Sequence, residues 1–130
     1  MPVAPVTVRY IVNDVDEAIA FYTGLLGFEL DLHPAPVFAM LSRGDLQLLL
    51  SAPGAGGGGA ALPDGSVPEP GGWNRFHLAV DDLGAEVERL RSAGATFRSE
   101  VVVGVGGNQV LLEDPSGNLV ELFEYRSREE

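Results

Sequence analysis

The chain has no cysteine, so disulfides, thiolate metal sites, iron–sulfur clusters and cysteine nucleophiles are excluded, and any metal chemistry has to use His, Asp and Glu. Histidine is scarce as well, limited to His33 and His77. Basic residues number eight against nineteen acidic ones, for a formal charge of −11. That balance repels nucleic acid phosphates and anionic membrane surfaces and suits a neutral or cationic small ligand, although much of it serves solubility on solvated faces. Long apolar runs are missing: none approaches the roughly 20 residues that span a bilayer, and the opening MPVAPVTVRY lacks the basic start and apolar centre of a signal peptide. The expectation is a cytoplasmic protein with neither a nucleic acid nor a membrane partner. Catalytic signatures are also sparse, with no GxSxG elbow, no P-loop and no GxGxxG after a strand; GVGGN at 104–108 reads as a loop between strands.

What remains is enough for one domain with a core: 130 residues, 45% hydrophobic. Strand signals at Thr7–Val12 stop at Asn13-Asp14, where Asp14 with Glu17 three residues on predicts a helix start. Ile19, Tyr22 and Leu26 recur at helical spacing, and Gly27 ends the segment. Strands are expected at Phe28–Leu32, Val37–Leu41 and 46–50 (LQLLL). Residues 52–72 hold eight glycines and four prolines and read as a flexible linker or flap. The pattern then repeats: a strand over Asn74–Val80, a helix after Asp81-Asp82 marked by Leu83, Val87 and Leu90, and strands over Phe97–Val103, Gln109–Leu112 and Leu119–Tyr125, the last after the turn Asp114-Pro115-Ser116-Gly117. The expectation is an α+β fold of two βαβββ modules, about 5–51 and 73–126, joined by the linker and forming a curved sheet with a central cleft.

NDVDEAIAFYTGLLGFEL in the first half, and FHLAVDDLGAEVERLRSAGATF with LLEDPSGNLVELFE in the second, resemble the glyoxalase, bleomycin-resistance and extradiol-dioxygenase superfamily, also called the vicinal oxygen chelate fold. The resemblance covers nearly the whole chain outside the linker. In that superfamily's enzymes four positions surround a divalent metal, and here they fall on Thr7, Arg75, Glu121 and Leu48, with Leu50 as the alternative to Leu48. Only Glu121 is a competent ligand: threonine is a weak neutral donor, leucine offers nothing, and Arg75 puts a permanent cation where the metal would sit.

Side chains two apart on a strand share a face, so Trp73, Arg75, His77 and Ala79 are expected to point into the cleft, with Thr7, Arg9 and Ile11 from the first strand and Leu119, Glu121, Phe123 and Tyr125 from the last. Arg75 and Glu121 are then expected to pair in place of a metal. His77 and Glu121 admit an acid–base pair, or His77 donates a single hydrogen bond. His33 is expected in a loop, at most on the rim. The ligand wall is completed by Phe38, Met40, Leu48 and Leu50 from the first half and by Gln109 and Leu111 from the second.

An apolar, aromatic wall with few polar groups suits a flat organic ligand. With three metal positions lost, the chain is similar to the superfamily's metal-free members that bind an antibiotic and sequester it. The resemblance therefore implies no cofactor, a planar or polycyclic natural product as the small-molecule partner, and a homodimer. A metal-dependent lyase, isomerase or dioxygenase is the alternative, and an association domain with a filled cavity a third reading.

Overall fold

The computed structural model describes residues 6–54 and 56–126, so the expected start of the first module at residue 5 lies outside the described residues. The chain divides into two compact units, Met1–Gly71 and Gly72–Glu130. The first holds β1 (Val6–Ile11), α1 (Val15–Leu25), β2 (Glu29–Ala35), β3 (Phe38–Arg43) and β4 (Leu46–Ser51). Its sheet runs β1-β4-β3-β2, with β1 parallel to β4 and the other pairs antiparallel.

Asp14 starts α1 by accepting a hydrogen bond from the Glu17 N–H at 3.0 Å, which satisfies one of the amides that a helix start leaves open. Val15, Ala18, Phe21 and Tyr22 form the buried stripe. Tyr22 lies edge-on to Phe21 and Phe28, with centroids 5.0 and 5.4 Å away, and the helix packs on β2, β3 and β4. The sheet face that carries Tyr10, Ala39, Leu41, Leu48 and Leu50 is buried, and register confirms the sharing: Leu48 stands beside Val8 and Leu41, and Leu50 beside Tyr10 and Ala39.

This placement corrects the expectation that Leu48 and Leu50 line a ligand wall. Both are fully buried and belong to the apolar face opposite the one shared by Thr7, Arg9 and Ile11. On that second, open face their neighbours are Gln47, Leu49 and Ser51, followed by Ser42, Met40 and Phe38. His33 is also placed differently. It lies on β2, whose two register shifts against β3 accommodate Pro34 in an edge strand, and its Nε2 is 3.7 Å from Asp16 Oδ1.

The glycine-rich stretch is not simply a linker. Gly57–Gly59 forms a 3-10 turn packed against β4, closed by the Gly54 N–H on the Gly59 carbonyl at 2.6 Å. Gly59 is buried, and a Cβ there would stand 1.8 Å from the Ala52 carbonyl oxygen, a backbone atom. Only glycine allows that approach. Further on, Ser66 donates its hydroxyl and N–H to Asp64 Oδ1 and holds that carboxyl below its usual pKa.

The second unit holds β5 (Arg75–Ala79), α2 (Leu83–Ser92), β6 (Thr96–Phe97), β7 (Val102–Val103), β8 (Gly107–Glu113) and β9 (Leu119–Tyr125). Its sheet runs β5-β9-β8-β6, with β7 also on β8. The strand expected over 97–103 is thus broken in two, and between the pieces Ser99 Oγ accepts the Leu111 N–H at 3.0 Å, so a side chain supplies the acceptor where strand pairing lapses. Asp82 caps α2 through the Ala85 N–H, and Glu124 on β9 accepts the Leu83 N–H at 2.7 Å, placing a second carboxylate at the positive helix end. Among the described residues no helix is long and apolar enough to cross a membrane.

The β8–β9 hairpin is set by Asp114, which is 3% exposed. Its Oδ1 accepts the Ser116 and Asn118 N–H groups at 2.9 Å each, and its Oδ2 accepts the Asn118 amide at 3.0 Å. Those bonds fix the pairing that sets Glu121 beside Leu111. Asp114→Ala is expected to strand these donors and to lower stability by about 2–3 kcal/mol, measured by urea unfolding against the parent chain.

Candidate functional site

In β5 and β9 the apolar and polar positions alternate, and parallel pairing puts Arg75 beside Leu119, His77 beside Glu121 and Ala79 beside Phe123. Phe76, Leu78, Val120 and Leu122 take the face toward α2, leaving Arg75, His77, Glu121, Phe123 and Tyr125 together on the other. Leu111 and Gln109 join them from β8, beside Glu121 and Phe123. These are the residues the strand periodicity predicts for one wall, and the structure brings them together.

Glu121 is at the centre of this wall and is 9% exposed. A carboxylate removed so far from water needs charged or hydrogen-bonding partners. It has two: Arg75 Nε donates to Oε1 at 3.0 Å, and His77 Nδ1 lies 3.2 Å from Oε2. The other ring nitrogen of His77, Nε2, is 3.0 Å from the Tyr125 hydroxyl. With a carboxylate beside Nδ1 the proton is favoured on that nitrogen, so Nε2 is the acceptor and the phenol donates. Arg75, Glu121, His77 and Tyr125 thus form one polar series across two strands.

An aromatic group surrounds its outer end. The His77 ring stacks on Phe123 at 4.8 Å and 23°, and Phe123 lies 4.7 Å from Tyr125. Gly107 makes room for this group: it stands opposite Tyr125, and a Cβ there would meet the Glu124 carbonyl at 2.2 Å and the Phe123 ring at 2.7 Å. Trp73 lies at the other end of the unit, since β5 runs from Arg75 beside Leu119 to Ala79 beside Phe123, with Tyr125 beyond. It precedes β5, so strand alternation does not orient it. It is 68% exposed, with the Arg98 guanidinium 5.5 Å from its ring, while Arg98 pairs with Glu113 at 2.6 Å.

The open face of the first unit carries a second group of expected residues. Arg9 donates from Nη1 to Ser51 Oγ at 2.9 Å, Thr7 stands beside Gln47 and Arg9 beside Leu49, and Phe38 and Met40 are half-buried. Gln47, Leu49 and Ser51 are missing from the sequence reading. The run LQLLL has no alternation to reveal them, and only pairing with β1 does. The Tyr125–His77 bond is likewise unforeseen, although periodicity puts both residues on one face.

A divalent metal does not fit the residues present. The guanidinium of Arg75 holds one oxygen of Glu121 and His77 approaches the other, and among the described residues no three His, Cys, Asp or Glu side chains converge as a ligand set. The same geometry suits aromatic stacking, anion-assisted hydrogen bonding and proton transfer at His77.

The sequence matches the family model of the Glyoxalase/Bleomycin resistance protein/Dioxygenase superfamily over residues 4–122. An uncharacterized protein of Shewanella frigidimarina is 28% identical, with 95% of each chain covered. Among solved structures, a lactoylglutathione lyase from Agrobacterium tumefaciens is 25% identical, covers 95% of this chain and 94% of its own, and superposes with a TM-score of 0.72. TnmS3, an antibiotic binding protein from Streptomyces sp. CB03234, is 23% identical, with 97% of both chains covered and a TM-score of 0.71. The two βαβββ units are those of the vicinal oxygen chelate fold, and the chain belongs to the glyoxalase/bleomycin resistance protein/dioxygenase superfamily.

Proposed function

We propose that this protein binds a planar or polycyclic natural product of the antibiotic class without a metal, and protects by sequestering it in the cytoplasm as a homodimer. The observation that carries this reading is the engagement of Glu121 by Arg75 and His77: the one competent ligand among the family's metal positions is already neutralised by a fixed cation. What remains on that wall is stacking surface and a few hydrogen-bonding groups, with Phe123 and Tyr125 offering aromatic area, and the exposed Trp73 adds a separate aromatic surface before β5. The likeness to an antibiotic binding protein supports the ligand class. The likeness to a lyase favours the metal-dependent alternative, but Arg75 stands against it.

Two expected outcomes follow from this reading. Trp73 is the single tryptophan, so its fluorescence should be quenched on titration with a binding polycyclic antibiotic. At about 100 times Kd the same ligand should stabilise the fold by roughly 2.7 kcal/mol, with chelator making no difference. A chain purified with one divalent ion, lost in Glu121→Ala, and unresponsive to a broad antibiotic panel would overturn the proposal in favour of a metal enzyme. Arg75→Ala, which leaves Glu121 without its cation, should cost about 1–2 kcal/mol in thermal unfolding, the value being reduced by the partial exposure of the pair.

A further inference from the structure

The polar series that begins at Arg75 ends on an exposed phenol, and its members become more accessible along the way. The Glu121 side chain is 12% exposed, that of His77 37%, and Tyr125 as a whole 62%. A buried carboxylate behind one imidazole nitrogen, with a hydroxyl on the other, is the arrangement by which a general base activates a nucleophile. Here the hydroxyl is phenolic. Two features hold it: the Phe123 ring 4.7 Å from that of Tyr125, and the His77 Nε2 acceptor at 3.0 Å. On the facing strand Gly107 has no side chain to cover it.

We infer that Tyr125 is a nucleophile activated by His77, which accepts an acyl group from an electrophilic carbonyl compound, with Glu121 and Arg75 as positioning residues. This goes beyond ligand capture and does not depend on which natural product is captured. In the step, the phenol oxygen bonds to the acyl carbon while its proton passes to His77 Nε2. The bond from the acyl carbon to the leaving oxygen breaks, and that oxygen departs with the electron pair. The imidazolium so formed lies beside the Glu121 carboxylate at 3.2 Å, and it then gives its proton to the leaving group or to water. No oxidant or reductant takes part. The other two tyrosines do not compete, since Tyr10 and Tyr22 are 8% and 0% exposed.

The test uses the full chain with p-nitrophenyl acetate, following nitrophenolate release and locating the acetyl group by peptide mass spectrometry. Acetylation is expected on Tyr125 and should vanish in Tyr125→Phe, which keeps the ring contacts. His77→Gln retains a hydrogen-bond acceptor but no base, and should slow acetylation of Tyr125 by about 100-fold or more. Glu121→Gln should slow it by about tenfold and shift the pH profile of the reaction, a change that a purely structural role would not produce. Labelling of Tyr125 at the parental rate in His77→Gln would show that exposure alone governs its reactivity and would overturn the inference. So would an acetyl group found on other residues and unaffected by Tyr125→Phe.

Discussion

Glu121 is a carboxylate in mid-strand, and both its neighbours in the chain, Val120 and Leu122, are buried. Its charge cannot turn to water, so it has to be met by side chains on the adjoining strand. Parallel pairing of β5 with β9 supplies them, because it sets His77 directly beside Glu121 and Arg75 one pleat away. Arg75 neutralises the carboxylate, the carboxylate orients His77, and His77 receives the Tyr125 hydroxyl. Breaking the first contact would release the rest in turn. The Asp114 turn is part of this arrangement, since it fixes the β8–β9 register.

The two units put the same topology to different uses. In the second, the open sheet face holds an ion pair, a histidine and two aromatic rings. In the first, the corresponding face holds Arg9, whose guanidinium bonds Ser51, and a glycine turn lies close to it: a Cβ on Gly58 would strike the Arg9 guanidinium. A side chain at Gly58 would have to push that guanidinium aside, whereas at Gly59 the backbone of Ala52 leaves space for glycine alone.

Strand alternation in RFHLA and LVELFEY made the second unit's wall legible, because polar and apolar residues there occupy opposite faces. The Asp14 and Asp82 caps were legible for a similarly local reason, the spacing of a carboxylate from the first free amides. The first unit defeats the same reasoning at LQLLL, where leucines fill both faces. Counting from the preceding turn does not help, since two residues separate the paired ends Arg43 and Leu46, while five separate Glu113 and Leu119. The face is therefore set by long-range pairing with β1, and it selects Leu49 over Leu48. Trp73 escaped for another reason: it lies outside the strand whose periodicity was extended to it, and a cation from residue 98 holds its ring instead.

Family membership alone would suggest metal chemistry, and the proposed metal-free binding rests on one contact, that of Arg75 with Glu121. The direct measurement is long-range proton–nitrogen NMR of the His77 imidazole at neutral pH, recorded before and after adding excess zinc. The account predicts a ring protonated on Nδ1 with Nε2 as acceptor, whose resonances do not change with zinc, because Arg75 keeps Glu121 engaged. A ring protonated on Nε2, or imidazole signals that move in proportion to one equivalent of zinc, would contradict it.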